Sequence, residues 1–337
     1  MKSIVFTSPC VAELIEEPMP IIDEKQGVLV KMERTTVSAG TERANLVGDP
    51  NVSPSKGVKV TFPRRSGYSS TGYVVAIGSE VESVKVGDRV SVSWSSHSQY
   101  CATVQSKVYK LPEAVSSGAG ALVHIATFPL AAIRKCHLEI GESALVMGLG
   151  VLGLVCLGLL RNAGAAPIIA VDPVAEKREL ALKLGADYAL DPFAPDFFET
   201  VHALTGGGAN VAIEITGNGK GLDMALDCLA KFGRIALLGC TRNSDFTIDY
   251  YRKVHGRGVT MIGAHTIARP KEESSSGWWT ERDDALAVIK MLALGRLDFD
   301  ILIEEVHSPA EAGAVYTRLA NERSFPIVQF DWSRIGE

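Results

Sequence analysis

Up to about residue 115 the chain alternates short apolar runs with turn residues. Runs at 3–6, 28–32, 72–77, 89–94 and 100–104 are rich in β-branched and aromatic residues. Gly27, Gly40, Gly67, Gly78 and the Gly87-Asp88 pair punctuate them. Short strands with such turns predict an all-β, barrel-like unit. The stretch 49–66, rich in Pro, Ser and basic residues, reads as a long exposed loop. The texture changes near residue 117. Residues 118–137 are Ala-rich with a helical period. Strand-type runs at 144–147, 168–171, 188–190, 211–215, 234–238 and 260–262 then alternate with helical stretches near 151–163, 174–184, 195–204 and 219–231. Such alternation predicts an α/β doubly wound parallel sheet with helices on both faces, and six strands match a dinucleotide-binding domain. A helix at about 280–294 has Thr280 as its N-cap, and the tail returns to strand, helix and strand.

The 337 residues carry 34 Lys+Arg and 39 Asp+Glu, a net charge of −5, and 46% are apolar. Enough apolar surface exists for more than one core, which excludes disorder. The mild negative charge argues against nucleic-acid binding. The uncharged run 144–160 is shorter than the ~20 residues of a membrane span, and its glycines mark a buried strand, a turn and a buried helix. Six cysteines at 10, 101, 136, 156, 228 and 240 form no CxxC pair, so they read as reduced core thiols of a cytoplasmic protein. The acidic N-terminus lacks the apolar run of a signal peptide.

The sharpest chemical signal is Gly148-Leu149-Gly150-Val151-Leu152-Gly153, which follows an apolar strand and opens a helix. Asp172 lies 19 residues past Gly153, at the end of the next strand. In that setting the first glycine permits a tight turn, the second lets the backbone approach a pyrophosphate, and the third lets helix and strand pack closely. The helix N-terminus favours the phosphates. Asp172 accepts from a ribose diol and repels a 2′-phosphate, which favours NAD(H) over NADP(H), while Lys177 and Arg178 nearby soften that preference. Thr216, Gly217, Gly239 and Ala264 lie at other strand ends on the cofactor edge.

These features together resemble the medium-chain dehydrogenase/reductase superfamily, which includes the zinc alcohol and polyol dehydrogenases. Residues 81–90, the Gly120-Ala121-Leu122 segment, the Gly148 loop and Leu184-Gly185-Ala186-Asp187 carry the resemblance. It implies a GroES-like β-barrel domain over 1–117, completed by 297–337, around a Rossmann domain over 118–296. It also implies a small-molecule substrate and a homodimer joined through the strand near 260–264. The metal ligands of relatives are the point of departure. The chain reads Ala39-Gly40-Thr41-Glu42, then Gly67-Tyr68-Ser69-Ser70-Thr71-Gly72, then His124, at the three places. One ligand cannot hold zinc, which takes three protein ligands in a catalytic site, so no zinc is expected. Residues 38–42, 67–72, 254–255 and 262–265 resemble a branch that includes proteins similar to bacteriochlorophyllide a dehydrogenase.

Without zinc, hydrogen-bond donors must polarise the reacting oxygen. By the resemblance Tyr68 and His124 stand where ligands stood, and Thr41 where relatives keep a relay hydroxyl. Arg64, Arg65 and Trp278 are candidates for binding substrate. Glu42 reads as a structural partner of Arg43 or Arg65, and His97 as a solvated turn residue. The expected activity is a zinc-independent, NAD(H)-dependent oxidation of a sugar- or cyclitol-like secondary alcohol. An enone or quinone reductase and a non-catalytic dinucleotide-binding protein are the alternatives.

Overall fold

A computed structural model gives the structure, and it describes residues 1–53, 60–244, 246–322 and 324–335. The chain forms two compact units, Met1–Ile125 with Ala285–Glu337, and Ala126–Asp284.

The first unit opens with strands β1 (Lys2–Ser8), β2 (Val11–Glu16) and β3 (Gly27–Thr36), followed by helix α1 (Ala39–Val47). Strands β4 (Arg64–Arg65), β5 (Ser69–Ile77), β6 (Arg89–Ser93), β7 (Tyr100–Val104) and β8 (Val108–Lys110) come next. Strand β3 is the hub, because it pairs antiparallel with both β5 and β7. Its side chains alternate, with Val28, Val30 and Met32 buried and Lys31 exposed. The inward set packs on Ile4, Phe6, Leu46, Val74 and Val92 in one apolar core. Gly72 lies opposite Met32 in this ladder, where a Cβ would come within 2.2 Å of the Lys31 carbonyl. Of the expected loop over 49–66, residues 54–59 lie outside the described residues, and its end forms β4, which pairs with Val5 and Phe6 of β1. The helix expected at 118–137 is two helices, α2 (Ser117–Gly120) and α3 (Val123–Lys135).

In the second unit β9 (Ala144–Met147), α4 (Val151–Ala163), β10 (Ile168–Val171), α5 (Ala175–Lys183) and β11 (Tyr188–Leu190) form one half. Helix α6 (Phe197–Thr205), β12 (Ala209–Glu214), α7 (Gly219–Asp227), β13 (Leu229–Leu237), α8 (Tyr250–Lys253) and β14 (Thr260–Gly263) form the other. All ladders are parallel, in the order β11-β10-β9-β12-β13-β14. The chain therefore reverses direction across the sheet between β9 and β12, the place where doubly wound sheets bind ligands. The uncharged run is β9 and α4, and among the described residues no helix is long and apolar enough to cross a membrane. Strand β13 begins five residues before the expected 234, because exposed Lys231 and Phe232 break its apolar run, and Phe232 takes a positive φ of 62°.

Helix α9 (Glu281–Ala293) starts as expected at Thr280, whose hydroxyl accepts from the Asp283 amide at 3.1 Å. In the tail, β15 (Glu305–His307), α10 (Ala312–Asn321) and β16 (Val328–Asp331) return to the first unit, where β16 pairs antiparallel with β3.

Candidate active site

In the first unit the chain places three aromatic groups together. Tyr68 lies just before β5, Trp94 follows β6, and His124 is on the first turn of α3. The Trp94 amide donates to the Tyr68 carbonyl at 2.8 Å, which ties the two strand ends. The fully buried His124 ring meets Tyr68 edge-on at 5.6 Å and Trp94 at 4.8 Å between centroids. Trp94 has φ +57°, a left-handed conformation costing a bulky residue on the order of 1 kcal/mol or more. The Tyr68 hydroxyl donates to Ser38 Oγ, at the N-cap of α1. Thr41 lies one turn along that helix and is half-buried, its carbonyl accepting from Asn45 Nδ2 at 2.8 Å.

Two readings of the sequence need correction here. Glu42 is fully buried and has no arginine partner among the recorded ion pairs; it accepts from the Ser38 amide, His97 and the Tyr316 hydroxyl. His97 is not solvated but fully buried, with Nδ1 at 2.7 Å from Thr35 Oγ1. The reason is that Glu42 is on the inward face of α1, alongside buried Ala44 and Leu46. Arg43 donates instead to the Glu322 carbonyl, and Arg65 to the Glu17 carboxylate at 2.5 and 3.2 Å. Glu17 thus holds Arg65 above its ordinary pKa. Arg64 differs from its neighbour: its Nε and Nη1 are buried and have no partner among the described residues, and burial lowers its pKa.

The donor set does not suit zinc. Ala39 offers no donor atom, the Tyr68 hydroxyl is engaged by Ser38, and His124 supplies one imidazole where three ligands are needed. Among the described residues no three His, Cys, Asp or Glu side chains are grouped to hold a metal ion.

In the second unit the glycine loop makes a tight turn between β9 and α4. Gly148 has φ +101°, a conformation L side chains rarely adopt. A Cβ on Gly153 would meet the Gly148 carbonyl oxygen at 2.0 Å, so this glycine brings α4 against β9. A Cβ on Gly150 would meet nothing within 4 Å; protein packing does not require glycine there. Val151 and Leu152 begin α4, whose first amides are free to face a phosphate. Asp172 Oδ2 accepts from the Leu149 amide at 2.8 Å, so the acidic residue also braces the loop. Arg178 donates to the Asp172 carbonyl at 2.8 Å and lies 3.5 Å from Asp191, while Lys177 is half-buried on α5.

Sequence reasoning passed over Glu214, at the end of β12. It is 1% exposed and accepts from the Thr216 amide and hydroxyl and the Gly217 amide. Burial pushes its carboxyl up. A carboxylate that ends a buried strand two residues before a Thr-Gly turn was the available signal. Gly239 packs against this turn, where a Cβ would come within 2.4 Å of the Gly217 nitrogen. The Ala264 amide donates to the Leu237 carbonyl at 3.1 Å. Trp278 sits under the Lys135 ammonium at 4.8 Å, and Trp279 under the Arg134 guanidinium at 3.5 Å.

Residues 24–137 match the alcohol dehydrogenase GroES-like domain, and 151–277 match the zinc-binding dehydrogenase family. The (R,R)-butanediol dehydrogenase of Bacillus subtilis (strain 168) is 31% identical over 269 residues, covering 72% of this chain and 73% of the relative. The D-guloside 3-dehydrogenase of Escherichia coli (strain K12) is 26% identical over 259 residues, covering 76% and 73%. An alcohol dehydrogenase from Escherichia coli CFT073, solved with NADH, superimposes with a TM-score of 0.83 at 19% identity, covering 98% of this chain and 99% of that one. This last likeness shows the fold alone.

Proposed function

Because the chain belongs to the medium-chain dehydrogenase/reductase superfamily, we propose that it is a zinc-independent, NAD(H)-dependent enzyme that interconverts a polar, sugar- or cyclitol-like secondary alcohol and its ketone. One observation carries this reading: the Tyr68 phenol, which by the sequence resemblance stands where zinc-holding relatives keep a ligand, is bonded to Ser38 Oγ and set edge-on against the buried His124 ring. The relatives' substrates, a butanediol and a guloside, support a polar alcohol.

Gly148, Gly150, Val151, Leu152 and Gly153 hold the pyrophosphate, and Asp172 takes the adenosine ribose. Thr216, Gly217, Gly239 and Ala264 line the sheet edge beside it, and Lys177 flanks the ribose. A bound dinucleotide would supply the hydride chemistry, as acceptor for the alcohol carbon in one direction and donor to the ketone in the other. The Tyr68 hydroxyl, bonded to Ser38 Oγ at rest, turns its proton to the reacting oxygen and donates to the alkoxide that develops in either direction, while Ser38 Oγ donates to the phenol oxygen in exchange. His124 and Thr41 provide proton routes. Arg64, whose buried donors are unengaged among the described residues, receives a substrate oxygen. Arg65, which Glu17 holds, and Trp278 are each further candidates for substrate contact.

The test is NADH formation across a panel of polyols and cyclitols, run before and after dialysis against a chelator. Turnover with at least one member, unchanged by the chelator, is expected. A panel that stays flat while a conjugated enone is consumed would assign the protein to the reductases instead. Cofactor choice is a separate prediction. Like charges brought together cost several kcal/mol, so NADH binds more tightly than NADPH by on the order of tenfold or more. Equal fluorescence titrations would remove Asp172 from the selecting role. Strand β14 ends the sheet, and pairing of two such edges in a homodimer would cover it, which a solution mass decides.

A further inference from the structure

A buried polar circuit in the first unit has no part in the reaction as described above. The Trp332 indole can only donate, and it donates to Thr35 Oγ1 at 3.0 Å. Nε2 of His97 lies 3.1 and 3.2 Å from the two oxygens of the Glu42 carboxylate, which can only accept, so Nε2 is the ring's donor. The other ring nitrogen, Nδ1, lies 2.7 Å from the Thr35 hydroxyl. The Tyr316 hydroxyl donates to Glu42 Oε2 at 2.5 Å. Oε1 accepts from the Ser38 amide at 2.8 Å, and Ser38 Oγ accepts from the Tyr68 hydroxyl. Every member from Trp332 to Ser38 is at most 5% exposed.

Five separate stretches of chain supply this circuit: β3, α1, the turn before β7, α10 and the residue after β16. Apolar side chains would fill the same volume without the several kcal/mol that desolvating a carboxylate costs. The donors around Glu42 offset that cost, and the circuit reaches towards the candidate site through the Ser38 amide, which donates to Glu42, and through the His97 amide, which donates to the Ser66 carbonyl at 2.9 Å.

We propose that Glu42 and His97 are positioning residues. They fix the backbone of Ser38, and through the Ser38 hydroxyl they hold the Tyr68 phenol in a single orientation towards the reacting oxygen. The inference rests on the dehydrogenase reading only for its kinetic consequence, since the geometry it asserts can be observed without turnover.

The experiment uses the full chain labelled with [13Cζ]tyrosine, the Tyr68 resonance being identified by its loss in Tyr68→Phe. Glu42→Gln and His97→Leu are compared with His97→Gln, whose amide N–H can stand in for Nε2–H. The expected result is a displaced Tyr68 resonance in the first two and a return towards the native position in the third. With a substrate from the panel, kcat falls about tenfold in the first two with KM nearly unchanged, and His97→Gln recovers most of it. A native Tyr68 resonance in folded Glu42→Gln and His97→Leu overturns the proposal. If neither folds, Tyr316→Phe, which removes one donor from Glu42 and keeps the ring packing, decides by the same resonance. A flat substrate panel beside the expected resonance shifts counts against the dehydrogenase reading and leaves the positioning role supported.

Discussion

Tyr68→Phe lowers kcat on the alcohol substrate by about 10²- to 10³-fold, the loss seen when one donor to a developing oxyanion is removed. Phenylalanine keeps the ring, so the edge-on contact with His124 at 5.6 Å and the tilted contact with Trp94 at 6.1 Å are retained. Only the hydroxyl and its bond to Ser38 disappear. Ser38 loses one donor, which affects stability by about 1 kcal/mol, too little to unfold a unit built on a large core. The dinucleotide-binding loop belongs to the other unit, so NADH affinity holds at the wild-type value. The kinetic pattern is as informative as its size. A hydrogen bond that strengthens only as charge develops lowers kcat and kcat/KM together, whereas a bond made equally to the ground state raises KM. Steady-state kinetics on the purified variant makes the measurement. Turnover within about threefold of wild type would move the proton-handling role from Tyr68 to His124 or Thr41.

How much of this was legible in the sequence depended on whether a signal was local. The sheet of the second unit could be read because its central strands β9 and β10 are buried on both faces and appear as unbroken apolar runs at the expected 144–147 and 168–171, and the half-exposed edge strand β11 still falls at the expected 188–190. The glycine loop could be read because its requirements lie within six residues. Helix α1 could not, since its buried residues, Glu42, Ala44 and Leu46, are two apart and give no helical period. The same helix hid the polar circuit. Glu42 meets His97 across 55 residues and Tyr316 across 274, and no spacing rule joins such positions. The nearest arginines were therefore the natural sequence partners, and packing overruled them. Trp94 went unremarked because its importance comes from a left-handed backbone and two ring neighbours, which are tertiary facts.

Alanine at Gly153 and alanine at Gly150 weaken dinucleotide binding by different routes. At Gly153 the new Cβ meets the Gly148 carbonyl oxygen at 2.0 Å and Gly148 C at 3.0 Å, and a backbone atom cannot swing aside as a flexible side chain can. Helix α4 must move off β9, or the loop must open. Overpacking of this kind costs about 1–3 kcal/mol or more, and it acts on a core in which Leu154, Val155 and Leu157 are buried. Gly153→Ala therefore lowers the thermal midpoint by several degrees and weakens NADH binding about 100-fold or more. At Gly150 the Cβ meets no protein atom within 4 Å, and φ is −72°, which any residue adopts. Gly150→Ala leaves the thermal midpoint of the unliganded protein in place, yet it fills the space through which a pyrophosphate must approach the α4 N-terminus. Calorimetry without ligand and fluorescence titration with NADH separate the two cases. Native NADH affinity in Gly150→Ala would mean that the open space at this glycine is not where the phosphates lie, and the dinucleotide would have to be placed elsewhere on the sheet edge.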